Sequence, residues 1–185
     1  MNEADNVKPP RAWRLKTLAL ALVVVGIGLD LWSKAYMQHA LGMNPDHEGS
    51  TGKTIEVIEG FFRFEGNWNP GVTFGIARGW TEPILIFTVL ASAGLCAWLF
   101  LTRSRSVLLH VALGMILAGA PGNLYDRFKW NKVRDFVLVY WKDPSIWQWP
   151  AFNVADSMIV VGVGFILGIE LFGRRPPPKA AEQPS

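Results

Sequence analysis

The sequence has little charge and almost no cysteine. Only 18% of its 185 residues are charged, and the single cysteine, Cys96, lies inside an apolar run. One cysteine excludes a disulfide or a cysteine metal cluster within the chain. The sequence also lacks an HExxH metal-ligand pattern and a GxSxG serine motif. We therefore expect neither a metal nor another cofactor.

The net charge of +3 is small, and the basic residues do not form a stripe that would bind nucleic acid. They lie mainly beside apolar runs, where Lys and Arg act as topology signals. Half of the residues are hydrophobic, and nine are Trp, a residue enriched at membrane interfaces. This composition predicts a membrane protein without a nucleic-acid partner.

Four apolar stretches predict four transmembrane helices, since a membrane helix needs roughly 20 mostly apolar residues. The predicted spans are about 17–36, 83–102, 106–125 and 151–171. We expect the first to be a retained helix rather than a cleaved signal peptide, because Asp30, Trp32 and Lys34 stand where a small-residue cleavage site should lie. The predicted fold is an α-helical membrane domain over residues 1–172, followed by a disordered cytoplasmic tail, 173–185.

Basic residues predict the orientation of these spans. They precede the first span, follow the fourth, and separate the second from the third at Arg103 and Arg105. Both termini should therefore lie in the cytoplasm. The second outer loop disagrees with this assignment, because it carries five cations: Arg127, Lys129, Lys132, Arg134 and Lys142. We retain the orientation and expect another task for those cations.

The first outer loop, about 40–80, is rich in β-formers. Its alternating stretches surround Gly66 and the Asn-Pro-Gly turn at 69–71, a pattern that predicts a small twisted sheet. We expect its aromatic residues to rest on the bilayer surface: Phe61, Phe62, Phe64 and Trp68.

Polar residues in or beside the spans gather at the outer face. Such residues are costly in a membrane and commonly functional. The set comprises Asp30, Lys34, Asn69, Asn123, Asp126, Arg127, Asp135, Asn153 and Asp156. Simpler interpretations stay open for several of them. Asp30 and Lys34 have the spacing of a local ion pair, Asp126 with Arg127 can simply end a helix, and Asn153 with Asp156 resembles a capping box.

Asp135 favours a catalytic interpretation. It precedes an apolar, β-prone run, "FVLVYW". If that run docks along the membrane surface, Asp135 approaches Asp156 at the outer end of the fourth helix. Two carboxylates in a poorly hydrated site share a proton, so that one acts as a base on water and the other as an acid. A small transporter and a non-enzymatic membrane scaffold are the alternatives.

Five short blocks occur in a recognisable order: "LDLWSK", "NPGVTFG", "GNLYDR", "VRDF" and "FNVAD". Together, on four predicted spans, they make the chain resemble lipoprotein signal peptidase (signal peptidase II), the membrane aspartic peptidase of bacteria. The resemblance covers nearly the whole chain. It implies four transmembrane helices with cytoplasmic termini and an extracytoplasmic β-cradle between helices one and two.

The resemblance also implies a function. The family removes the signal peptide from diacylglyceryl-modified prolipoproteins, just before the lipidated Cys, at the outer face of the bacterial cytoplasmic (inner) membrane. Matching the blocks makes Asp135 and Asp156 the catalytic pair. The residues that line or orient the substrate site are then Asn69, Gly71, Asn123, Arg127 and Asn153. Asp30 and Lys34 form a supporting polar pair, Asp126 is a structural acid, and we expect a monomer in contact with membrane phospholipid.

Four features depart from the family pattern. Arg134 replaces an aliphatic residue, Pro121 precedes the Gly-Asn pair, Thr73 replaces a smaller residue, and the loop 42–53 is longer than usual. These departures affect the cradle and the substrate preference rather than the matched aspartates. Because Asp156 begins a helix, the helix dipole favours its ionised form. We therefore expect Asp156 to be the base and Asp135 the protonated partner.

Overall fold

The computed structural model describes residues 10–71 and 81–172. In chain order its elements are helix α1 (Pro10–Ala40), strands β1 (Gly49–Ile58) and β2 (Phe62–Asn69), helices α2 (Thr81–Leu101) and α3 (Val107–Trp130), strand β3 (Val133–Val139) and helix α4 (Val154–Phe172). The predicted tail 173–185 and Thr73 lie outside the described residues.

All four helices are long and apolar enough to cross a membrane, which confirms the predicted fold class. Helix α1 extends beyond the predicted span at both ends, and α3 ends at Trp130 instead of near 125. The helix α3 continues because Asp126 is buried and paired within the protein. It ends where Asn131 adopts a left-handed conformation (φ 55°) and donates its N–H to the Arg127 carbonyl. Pro121 lies inside α3 without ending it.

Helix α3 is the central helix, and small residues allow α4 to pack closely against it. A Cβ at Gly119 would lie 2.4 Å from the Ala155 carbonyl oxygen, and one at Gly162 would lie 2.8 Å from the Ala112 carbonyl oxygen. Close approach of backbones at small residues is a common basis of helix association in membranes. This packing fixes the start of α4 beside the C-terminal half of α3. Helix α2, in contrast, is mostly exposed.

The sheet corrects the predicted position of the β-cradle. It is antiparallel with strand order β1-β2-β3. Strands β1 and β2 lie between α1 and α2 as predicted, but β3 comes from the segment between α3 and α4. The apolar run after Asp135 satisfies its backbone groups by pairing with β2. The pairing places Asp135 opposite Asn67 and Val133 opposite Asn69.

The prediction that Trp68 rests on the bilayer surface is wrong. Its side chain is fully buried and packs in an apolar cluster with Leu41, Met43 and Phe136. This cluster joins the sheet to the C-terminal end of α1. Phe61, at the turn between β1 and β2, is 46% exposed. The long loop after α1 is also anchored, because Lys132 Nζ donates to the carbonyl oxygens of Pro45 and His47.

Candidate active site

Strand pairing brings Asn69, at the end of β2, to Asp135 in β3. Asn69 Nδ2 donates to Asp135 Oδ2 at 2.9 Å. The Asn69 Oδ1 atom accepts the N–H of Gly71 at 3.0 Å, which fixes the orientation of the amide. The sheet thus holds one carboxylate by a side chain that is itself oriented by the following turn.

The start of α4 supplies the second carboxylate. Asn153 Oδ1 accepts the N–H of Asp156 at 3.0 Å, and Asp156 Oδ2 accepts the N–H of Asn153 at 3.3 Å. This reciprocal pair is a capping box, so the capping interpretation is confirmed. The Asn153 amide also donates to Asp135 Oδ1 at 2.8 Å. The residue that caps the helix therefore also binds the other aspartate.

Asn123, in α3, connects the two aspartates to a buried cation. Its Nδ2 atom donates to Asp156 Oδ1 at 2.7 Å. Its Oδ1 atom accepts from Lys34 Nζ at 2.8 Å and from Asn153 Nδ2 at 3.1 Å. Lys34 polarises the amide of Asn123, and through this amide its positive charge influences both carboxylates.

The ion pair of Lys34 and Asp30 is present, with 2.7 Å between Nζ and Oδ2, and both side chains are fully buried. Asp30 Oδ1 also accepts the N–H of Ala155 at 2.9 Å, in the first turn of α4. Buried charges are tolerated when they are paired and hydrogen-bonded in this way. The pair therefore fastens α1 to the start of α4, in addition to being a local i, i+4 contact.

Asp126 is fully buried and binds Arg134, for which the sequence analysis predicted no partner. Arg134 Nη2 is 2.5 Å from Asp126 Oδ1, and its guanidinium lies 4.4 Å from the centre of the Trp130 ring. The interpretation that Asp126 and Arg127 simply end a helix is therefore wrong. An Arg within a buried strand is a signal that could have found this pair, because a buried cation requires a counter-charge.

Arg127 is half-buried and points to the turn after β2. Its Nη2 atom donates to the Gly71 carbonyl oxygen at 3.0 Å. This contact holds the Asn-Pro-Gly turn against α3. Through Gly71 and Asn69, Arg127 is connected to Asp135.

Both aspartates line one cavity of about 400 Å³. Asn69, Asn123 and Arg127 complete its polar wall. Helix α2 forms the other wall with Pro83, Ile84, Phe87 and Thr88. The cavity can therefore hold a molecule that is polar at one side and apolar at the other. A wider groove of about 530 Å³ along the sheet touches this site at Asn69 but contains neither aspartate.

The environment of Asp135 favours its protonated form. Burial raises the pKa of Asp135 well above its usual value, and the neighbouring charge of Asp156 raises it further. The hydrogen bonds from Asn69 and Asn153 and the charge of Lys34 act in the opposite direction. These effects fit the predicted role of Asp135 as the protonated partner.

The ten predicted site residues form one connected set of contacts: Asp30, Lys34, Asn69, Gly71, Asn123, Asp126, Arg127, Asp135, Asn153 and Asp156. Five elements contribute to it, from α1 to α4. Within residues 10–71 and 81–172, no three His, Cys, Asp or Glu side chains are placed to share a metal ion.

Known proteins resemble this chain in sequence and in fold. The family model for signal peptidase (SPase) II matches residues 22–172. A lipoprotein signal peptidase of Rhodopirellula baltica is 37% identical, with 89% of this chain and 83% of the relative covered. One of Symbiobacterium thermophilum is 35% identical, with 80% and 91% covered. The solved structure of a bacterial membrane enzyme is 25% identical with a TM-score of 0.72, and the alignment covers 91% of this chain and 95% of that one.

Proposed function

Because this chain belongs to the signal peptidase II family, we propose that Asp135 and Asp156 are the catalytic pair with which it acts. The chain is a membrane aspartic endopeptidase that removes the signal peptide from prolipoproteins. Family membership thus favours the peptidase over the transporter and the scaffold. One observation carries the assignment of the pair: both carboxylates line the same cavity, and the amide groups of three asparagines orient them.

The proposed reaction uses the two carboxylates in different protonation states. Asp156 is ionised at the N-terminus of α4 and takes a proton from a water molecule. The oxygen of that water attacks the scissile carbonyl carbon, while Asp135 gives its proton to the carbonyl oxygen. The tetrahedral intermediate then collapses. Asp156 returns its proton to the leaving nitrogen, and the C–N bond breaks while Asp135 regains a proton from the intermediate's hydroxyl.

The polar and apolar walls of the cavity suit a lipid-modified peptide. The peptide bond would lie beside Asp135 and Asp156, while Ile84 and Phe87 of α2 would face the diacylglyceryl chains of the modified Cys. Cleavage would occur just before that Cys. The protein would work as a monomer among membrane phospholipids, with cytoplasmic termini and the site at the outer face of the inner membrane. The basic residues of the inner segments support this orientation.

Asp135→Asn and Asp156→Asn test the assignment. Each removes one acid–base group without changing the size of the side chain. Positioned acid–base groups contribute about 10² to 10⁴-fold to the rate, so cleavage should fall by at least about 100-fold in either variant. The measurement is cleavage of a diacylglyceryl-modified prolipoprotein by the purified full chain in detergent.

Asp46→Asn is the matched control, because it replaces an exposed carboxylate in the loop after α1. It should cleave at the wild-type rate. Cleavage at a near-normal rate by either Asp135→Asn or Asp156→Asn would show that the pair is assigned wrongly.

A further inference from the structure

Arg134 is a buried cation that the proposed reaction does not use. Only 4% of it is exposed. Its guanidinium donates to Asp126 through Nη2 at 2.5 Å and through Nε at 3.1 Å, and its backbone N–H donates to Asp126 Oδ2 at 3.1 Å. Its Nη1 atom donates to Gln38 Oε1 at 3.0 Å. Three donors of one residue therefore hold the Asp126 carboxylate.

Asp126 is also within reach of Lys34. The Lys34 Nζ atom lies 3.7 Å from Asp126 Oδ2, 2.7 Å from Asp30 Oδ2 and 2.8 Å from Asn123 Oδ1. Without Arg134, Asp126 would be a buried carboxylate with Lys34 as its nearest cation. The cost of an unpaired buried charge would then draw the ammonium group away from Asn123.

We propose that Arg134 is a positioning residue for the cleavage reaction. By pairing with Asp126, it keeps Lys34 hydrogen-bonded to Asn123, behind both aspartates, and thereby sets the pH range in which the enzyme cleaves. The inference rests on the proposed roles of Asp135 and Asp156.

The balance of charge around the pair gives the direction of the effect. Asp135 is faced by Lys34 of α1, Asn69 of β2, Arg127 of α3, and Asn153 and Asp156 at the start of α4. When Asp135 is protonated, the described site contains three cations and three anions: Lys34, Arg127 and Arg134 against Asp30, Asp126 and Asp156. Loss of Arg134 leaves one excess negative charge, which makes ionisation of Asp135 harder. The alkaline limit of activity should therefore move to higher pH.

The test is the pH dependence of kcat/KM for a diacylglyceryl-modified prolipoprotein, measured with the full chain in detergent. For Arg134→Met we expect the alkaline midpoint, the pH at which kcat/KM has fallen to half on the alkaline side, to rise by about one pH unit, the effect of a unit charge roughly 10 Å away at an effective dielectric constant of about 20. For Asp126→Asn, which removes the opposite charge, the midpoint should fall. The double variant should return close to the wild-type midpoint, because the two sites are coupled.

Arg134→Lys is the conservative control. It retains the positive charge, so its alkaline midpoint should stay near that of the wild type. It loses the two guanidinium N–H donors to Asp126, so its thermal stability should fall. Comparison of Arg134→Lys with Arg134→Met thus separates the effect of the charge at position 134 from the effect of its packing. If Arg134→Met does not fold, the midpoints of Asp126→Asn and Arg134→Lys decide the question.

An unchanged midpoint in folded Arg134→Met would overturn the inference, as would a double variant that shifts as far as Arg134→Met. So would an Arg134→Lys midpoint as high as that of Arg134→Met. A lower rate at every pH with the same midpoint would mean that Arg134 serves the fold alone. These outcomes leave the catalytic assignment intact, because that assignment fails only if Asp135→Asn or Asp156→Asn still cleaves.

Discussion

Gly122 marks the closest approach of α3 to the buried ion pair of α1. A Cβ atom at this position would lie 1.8 Å from Asp30 Oδ2, 2.9 Å from Asp30 Cγ and 3.4 Å from Lys34 Nζ. A separation of 1.8 Å is far inside van der Waals contact, and the Asp30 side chain is fully buried. The Gly122→Ala variant must therefore displace the Asp30 carboxylate or separate the two helices.

The expected cost follows from the contacts that Asp30 would lose. Its carboxylate pairs with Lys34 and accepts the N–H of Ala155. Breaking a buried ion pair costs about 3–5 kcal/mol, and overpacking alone costs about 1–3 kcal/mol. We expect Gly122→Ala to lower the free energy of unfolding by about 3 kcal/mol or more. For a chain of this size that is a fall in Tm of roughly 6–12 °C. Cleavage should fall as well, because Lys34 and the start of α4 both move.

Thermal unfolding in detergent and cleavage of a diacylglyceryl-modified prolipoprotein measure the two effects. Gly28→Ala is the matched control: it is the same substitution in α1, where a Cβ would meet nothing within 4 Å. It should keep the wild-type Tm or raise it slightly, since Ala favours a helix over Gly. A wild-type Tm and rate for Gly122→Ala would refute the argument from close packing.

Two further predictions concern the asparagines that bind Asp135. In Asn69→Ala the hydrogen bond to the Asp135 carboxylate is lost; because that bond lowers the pKa of Asp135, the pKa should rise and the alkaline limit of cleavage should move to higher pH. A limit that moves to lower pH would contradict this. Asn153→Ala removes the N-cap of α4, which should cost about 1 kcal/mol and lower the Tm, and cleavage should fall because Asp135 loses its hydrogen bond from the Asn153 amide. Unchanged Tm and rate would show that the cap contributes to neither.

The helices could be predicted from the sequence because each is encoded by one continuous apolar run. The clustering of Asp30, Asn123 and Asp156 at one end of the helices followed from those runs alone, since a position along a span gives its depth. The contacts within that cluster did not follow. They depend on how the helices rotate and how closely they pack, which Gly119 and Gly162 determine only once their partners are known.

The pairing of the strands in the sheet, in contrast, could not be predicted from the sequence. Strand β3 pairs with β2, some 66 residues earlier in the chain for Asn69 and Asp135, and no local pattern specifies such a partner. Trp68 was misplaced for a related reason: period-two alternation identifies the two faces of a strand, but not which face is covered. The face of β2 that carries Trp68 is covered by Leu41 and Met43, beyond the end of α1. Arg134 was missed as a partner of Asp126 because burial of its strand was not foreseen.

The capping box at Asn153 and Asp156 links the order of synthesis to the onset of catalysis. Lys34, Asn69 and Asn123 precede both aspartates in the sequence, so they are translated before β3 and α4. Asp135 and Asp156 belong to the last two described elements, and the bonds that begin α4 are also those that orient its carboxylate. A chain that has not yet docked α4 therefore lacks one member of the proposed catalytic pair, and we expect proteolytic activity to begin only when this final helix is in place.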